Sequence, residues 1–188
     1  MKKVISILLA ALAALSLTAC AVKPADTQTA DIPDALTLLD TVWAQYAEDE
    51  KFPAAGGDYS EANMTDGAPG KIGLANLSDA EYLISLPASV LEQATDAASL
   101  MHMMNTNSFT CGVVRLSDAA SATAAAAEAK TAILSKQWIC GFPDKLVVAT
   151  LGEYLISVYG LNDLLDTFCA KLQTVYPQTV MVSEDPIA

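Results

Sequence analysis

The chain has 188 residues, 53% of them hydrophobic and 17% charged, with a formal net charge of −12. Such acidity disfavours nucleic acid and anionic lipid head groups as partners, and Lys130, Lys136, Lys145 and Lys171 are scattered rather than gathered into a basic patch. The four cysteines follow no regular spacing, so no disulfide framework is expected.

Met1-Lys2-Lys3 is a short cationic start, and residues 4–17 are apolar apart from Ser6 and Ser16. That run is shorter than the ~20 residues of a membrane span and suits the apolar region of an export signal. Leu17-Thr18-Ala19-Cys20 follows. These four residues resemble the lipobox of bacterial lipoproteins. The resemblance implies a thioether-linked diacylglycerol on Cys20, cleavage before it, and in many bacteria acylation of the new amino terminus. Two or more acyl chains anchor stably, at ~0.8 kcal/mol per buried methylene, where one is marginal. The expected organisation is a signal peptide over 1–19, a flexible tether carrying the lipidated Cys20 over 20–34, and a single domain over 35–188. The expected location is the outer face of the cell membrane, with the lipid on Cys20 as the only membrane contact. Removal of Lys2 and Lys3 takes the formal charge from −12 to −14. An ordinary cleaved signal with Cys20 as a bystander shares the same features.

Leu36, Leu39, Val42, Trp43 and Tyr46 recur at helical spacing, with Asp34 as the N-cap. Residues 51–76 hold five glycines and two prolines without a sustained period and read as a long functional or disordered loop. Short helices are expected from Ser78 to Leu83 and from Pro87 to about Thr95. Residues 100–104 and 109–116 read as strands around the turn-prone Asn105-Thr106-Asn107. An alanine-rich helix capped by Ser117 runs to about Ser135, with a narrow stripe of Ala122, Ala126, Ala129 and Ile133. Residues 145–151 and 154–159 form a hairpin over Gly152-Glu153, a pair suited to a type II′ turn. Leu161, Leu164, Leu165, Phe168 and Leu172 stripe a helix stopped by Pro177, and residues 179–183 form a last strand. The order from about residue 109 is β-α-β-β-α-β. This predicts an α+β fold of the ferredoxin-like, split βαβ kind, with an antiparallel sheet and both helices on one face. N-terminal helices precede it, and residues 100–104 would add an edge strand.

No catalytic constellation stands out, and no cofactor motif. His102 is the sole histidine, and Met101, Met103 and Met104 flank it. On a strand these residues alternate between faces, so adaptable core filling is favoured over a soft metal site. A thiol hydrolase would use Cys140 with His102, yet Cys140 lacks a nucleophile motif. A hydrolase using a carboxylate remains an alternative, as does a metal or small-ligand sensor. Asp58, Ser60, Asn63 and Asp66 supply hard oxygen ligands but lack the glycine and terminal glutamate of an EF-hand. Gly67-Ala68-Pro69-Gly70-Lys71 lacks the spacing of a phosphate loop. Cys111, Cys140 and Cys169 allow at most one internal disulfide.

The runs 108–115 (Ser-Phe-Thr-Cys-Gly-Val-Val-Arg) and 133–138 (Ile-Leu-Ser-Lys-Gln-Trp) stand out together. With Pro143-Asp144-Lys145-Leu146 and Gly152-Glu153-Tyr154-Leu155, they resemble a family of uncharacterised bacterial lipoproteins. That family carries a C-terminal domain of unknown function and occurs mostly in Gram-positive anaerobes. The resemblance implies location and fold and carries over no catalytic residues. The favoured reading is a non-catalytic, membrane-anchored binding or scaffolding module that holds an envelope protein or ligand. Its expected contact surface joins the 51–76 loop to the 138–143 connection through Tyr59, Met64, Trp138 and Phe142.

Overall fold

Residues 146–149 and 154–156 are apolar at successive positions rather than alternate ones, and the strands they belong to are buried on both faces. The computed structural model describes residues 32–104, 106, 108–139 and 141–187. The expected signal, the Cys20 acceptor and most of the tether lie outside the described residues, as do Asn105, Asn107 and Cys140.

Eight antiparallel strands are described: β1 (Ala54–Gly56), β2 (Thr65–Asp66), β3 (Gly70–Lys71), β4 (Ala94–His102), β5 (Phe109–Leu116), β6 (Lys145–Leu151), β7 (Tyr154–Gly160) and β8 (Val180–Pro186). Their order across the sheet is β2-β1-β4-β5-β7-β6-β8, with β3 also paired to β4. The helices are α1 (Ala35–Trp43), α2 (Leu77–Ile84), α3 (Ala88–Leu91), α4 (Ala122–Leu134) and α5 (Asn162–Val175). The fold is α+β, with one open antiparallel sheet.

Alternation along the strands sorts their side chains into two cores. Cys111, Val113, Val147, Ala149, Ile156 and Val158 meet α1 and α5 through Leu38, Leu39, Leu165 and Phe168. Val114, Leu116, Leu146, Val148, Leu155 and Tyr159 meet α2, α3 and α4 through Ile84, Leu91, Ala126 and Ile133. The alanine stripe of α4 is buried as expected, and its small side chains let the helix lie close on the sheet.

The element order β-α-β-β-α-β is present, but the expected ferredoxin-like arrangement is not. There the fourth strand lies beside the first and both helices share a face. In this chain β8 pairs with β6, and α4 and α5 belong to opposite cores. Handedness accounts for this. The β5–α4–β6 and β7–α5–β8 crossovers travel the same way across the sheet from antiparallel strands. One shared hand then sends their helices to opposite faces.

The expected edge strand is also corrected. It begins at Ala94 rather than residue 100 and is interior, because β1 and β3 pair with its outer side. The supposed loop is therefore a folded part of the sheet. Ser99 Oγ accepts from Gly57 N at 2.9 Å and donates to Gly57 O at 3.1 Å, within the buried interior. β1 and β3 approach so closely that a Cβ on Gly56 would lie 2.2 Å from Gly70 N. Asp58 organises the rest: Oδ1 accepts from the Ser60 amide and hydroxyl, and Oδ2 accepts from Asn63 Nδ2 and Gly73 N.

Asp34 caps α1 as expected, accepting from Thr37 N at 2.7 Å. Ser117 does not cap α4; Asp118 caps a short 3₁₀ turn at Ala119–Ser121 that leads into it. Asn76, not Ser78, precedes α2. The turn between β6 and β7 holds Gly152 at φ 58° with Glu153 at negative φ, as a Gly-first turn requires. At the N-terminal end of the described residues, the Ile32 carbonyl accepts from Tyr154 Oη at 2.7 Å and the Pro33 carbonyl accepts from Arg115 at 2.9 Å.

Candidate functional site

Small residues on three adjacent strands open a trough in the sheet. Ser99, Gly112 and Ser157 are register partners on β4, β5 and β7. Ile84, the last residue of α2, seats against Gly112; a Cβ there would stand 2.7 Å from the Ile84 Cβ. The end of α2 is thereby drawn down towards Tyr159.

Ser85 follows in the left-handed conformation, φ 57° and ψ 24°, the only non-glycine residue with positive φ among those described. Glycine or asparagine usually ends a helix this way, and a left-handed L-residue costs roughly 1–2 kcal/mol. The serine hydroxyl is engaged on two sides. Lys136 Nζ donates to it at 2.7 Å, and Tyr159 Oη lies 3.0 Å away. Backbone strain of this kind is a pointer to function when surrounding contacts hold it in place.

Lys136 lies just beyond α4. Its ammonium is 4.8 Å from the centroid of the Trp138 ring and 5.9 Å from that of Tyr159, and the two rings are 5.1 Å apart. Burial against this surface lowers the Lys136 pKa from its ordinary value. Burial raises that of Tyr159, which keeps its proton and remains a donor. Lys51, Lys71, Arg115, Lys130, Lys145 and Lys171 each hold a carboxylate. Lys136 is the one described cation without one.

Ser85 and Lys136 line a hollow of about 330 Å³ together with Glu81, Tyr82, Pro87 and Ala132. Pro87 and Ala132 are shared with a second hollow of about 410 Å³ that continues along α4 past Ala127, Glu128 and Thr131. The pair forms a shallow, largely apolar trough ending at an ammonium. Ser85 N already donates to Glu81 O at 2.9 Å, so it offers no spare amide to an oxyanion. The arrangement is equipped to hold an anion rather than to activate the serine.

Behind the Trp138–Tyr159 pair lies a cavity of about 140 Å³, which His102, Thr110 and Gly141 also line. The His102 ring stacks on Phe52 at 5.0 Å, and its Nδ1 accepts from Met104 N at 2.9 Å. Burial lowers the His102 pKa. Trp138 Nε1 is buried without a partner among the described residues.

The expected contact residues line different hollows where they line one at all. Trp138 belongs to the lysine cluster, whereas Tyr59 lines a separate hollow with Asp58 and Asp79. Tyr59, Met64 and Phe142 are exposed. The proposed thiol, Cys140, lies outside the described residues. Cys111 is free and fully buried, with its thiol pKa pushed well up by burial. The calcium-like carboxylate Asp58 is surrounded by donors and serves the loop. Among the described residues no group of three or more acidic, histidine or cysteine side chains is placed to hold a metal, and no helix is long and apolar enough to cross a membrane.

No protein-family model, curated protein or solved structure matches this chain. Sequence reasoning missed the Ser85–Lys136 pair. The residues are 51 positions apart, so no local motif joins them. The available signals were a serine where a helix ends and a lysine next to a tryptophan-bearing connection.

Proposed function

We propose that this chain is a lipid-anchored, extracytoplasmic protein whose domain binds its partner rather than transforming it, in keeping with the lipoprotein family it resembles. The observation that carries this reading is Leu17-Thr18-Ala19-Cys20 at the end of a short apolar run behind a cationic start. The domain supports the binding half. Asp58 is saturated with hydrogen bonds, the His102 ring is packed and bonded to its own strand end, and Cys111 is sealed in the core. Lys136, by contrast, is an ammonium with donor capacity to spare.

Mass spectrometry of the native protein extracted from membranes tests the anchor. A first residue Cys20 carrying diacylglycerol is expected, and C20A should release the protein from the membrane fraction. An unmodified Met1 terminus on protein recovered from the cell interior would overturn the reading.

A further inference from the structure

We infer that Lys136, Ser85 and the trough leading from them form a binding site for a small organic carboxylate with an apolar body. The inference rests on the proposed binding role and names the ligand class for it.

Three independent observations converge. The first is charge. The body is strongly acidic, and six of its seven described cations are neutralised by carboxylates, yet Lys136 is not. Its ammonium carries three donors, and one goes to Ser85. The Trp138 and Tyr159 rings flank it on one side. A carboxylate arriving there gains charge-assisted hydrogen bonds in a partly desolvated place, where such bonds are roughly twice as strong as neutral ones.

The second observation is the conformation of Ser85. A left-handed serine persists where glycine would be less strained. Its hydroxyl lies between the lysine and Tyr159, which holds the ammonium near the rings at the lining of the hollow.

The third is shape. The hollow at Lys136 runs into the second hollow through Pro87 and Ala132, and α4 contributes Ala127 and Ala132 where larger residues would fill the space. An apolar body lies along this floor with its charged end at Lys136. Glu81 and Glu128 at the rim repel a second negative charge, so a monocarboxylate fits better than a dicarboxylate. The trough is open, and affinity for a short ligand should be modest.

The test uses the purified domain-bearing chain with Cys20 replaced by Ala, followed by NMR titration. The probes are hexanoate, hexanamide, hexylammonium and acetate. Hexanoate should shift the Ser85, Ala132 and Lys136 signals saturably. Hexanamide, hexylammonium and acetate should bind at least about tenfold more weakly. K136M should reduce hexanoate binding to the level of hexanamide while amide signals away from the hollow stay those of the parent. S85A should weaken it by a smaller factor. Equal binding of hexanoate and hexanamide, unchanged affinity in K136M, or no saturable shift would each overturn the site. Because these readouts are independent of lipidation, failure of the titration leaves the anchor intact, and loss of the anchor leaves these results standing.

Discussion

Gly112 and Ile84 are in contact because one of them has no side chain: a Cβ on Gly112 would stand 2.7 Å from the Ile84 Cβ and 3.1 Å from two more of its carbons. The close approach of α2 to the sheet, and with it the reach of Ser85 to Tyr159, depends on this absence. G112A should therefore lift the end of α2 and destabilise the domain by about 1–3 kcal/mol, as overpacked cores do. Denaturant unfolding measures the loss, and the Tyr159 ring signals should move as the Ser85 contact lengthens. An unchanged unfolding midpoint would mean that the glycine does not set the serine's position.

Tyr154 Oη donates to the Ile32 carbonyl at 2.7 Å in a buried place, and burial pushes its pKa up to about 12. Y154F keeps the ring and leaves that carbonyl without its donor, at a cost of about 1–2 kcal/mol. Hydrogen exchange at the first turn of α1 should accelerate more than exchange in β5. Uniform acceleration throughout the domain would mean that the bond does not locally secure this end.

Asp58 makes stability depend on acid. Burial alone would raise its pKa, but hydrogen bonds from Ser60, Asn63 and Gly73 outweigh it and hold the carboxyl at about 2, against an ordinary value of 3.8. A depressed carboxyl stabilises the fold fully above its unfolded value and loses that contribution as pH falls through the folded value. Unfolding measured between about pH 4 and pH 2 should show the loss in the parent and a smaller slope in D58N. Identical slopes would exclude Asp58 as its source.

Cys111 and Cys169 are free, and burial raises both thiols, Cys169 to about 12. The thiolate is the reactive form. In a C20A/C140A variant, alkylation at neutral pH should be slow in the native state and fast in denaturant. Rapid labelling of the folded protein would contradict the packing of α5 on the sheet.

Legibility in the sequence followed the range of the interactions. β5, the β6–β7 hairpin and the Asp34 cap rest on neighbours in the chain, and pattern alone located them. β1 and β3 rest on Gly56 meeting Gly70 and on Ser99 reaching Gly57, contacts with no periodicity, so residues 51–76 looked structureless. The strand from Ala94 was cut short because Ala94, Asp96, Ala97 and Ala98 are poor strand formers that pairing with β5 overrides. The opposite placement of α4 and α5 had a visible sign in the apolar run Tyr154-Leu155-Ile156 of β7, which suits a strand covered on both faces. The Ser85–Lys136–Tyr159 group left only separate hints, a serine at a helix end and a lysine near a tryptophan, since it is assembled from three distant segments.

The bond from Tyr154 to Ile32 has a mechanical consequence. Through that bond Ile32 is tied directly to β7, which has a hydrogen-bonded strand on each side. A pull passed on through that bond meets two ladders at once rather than the rim of the sheet.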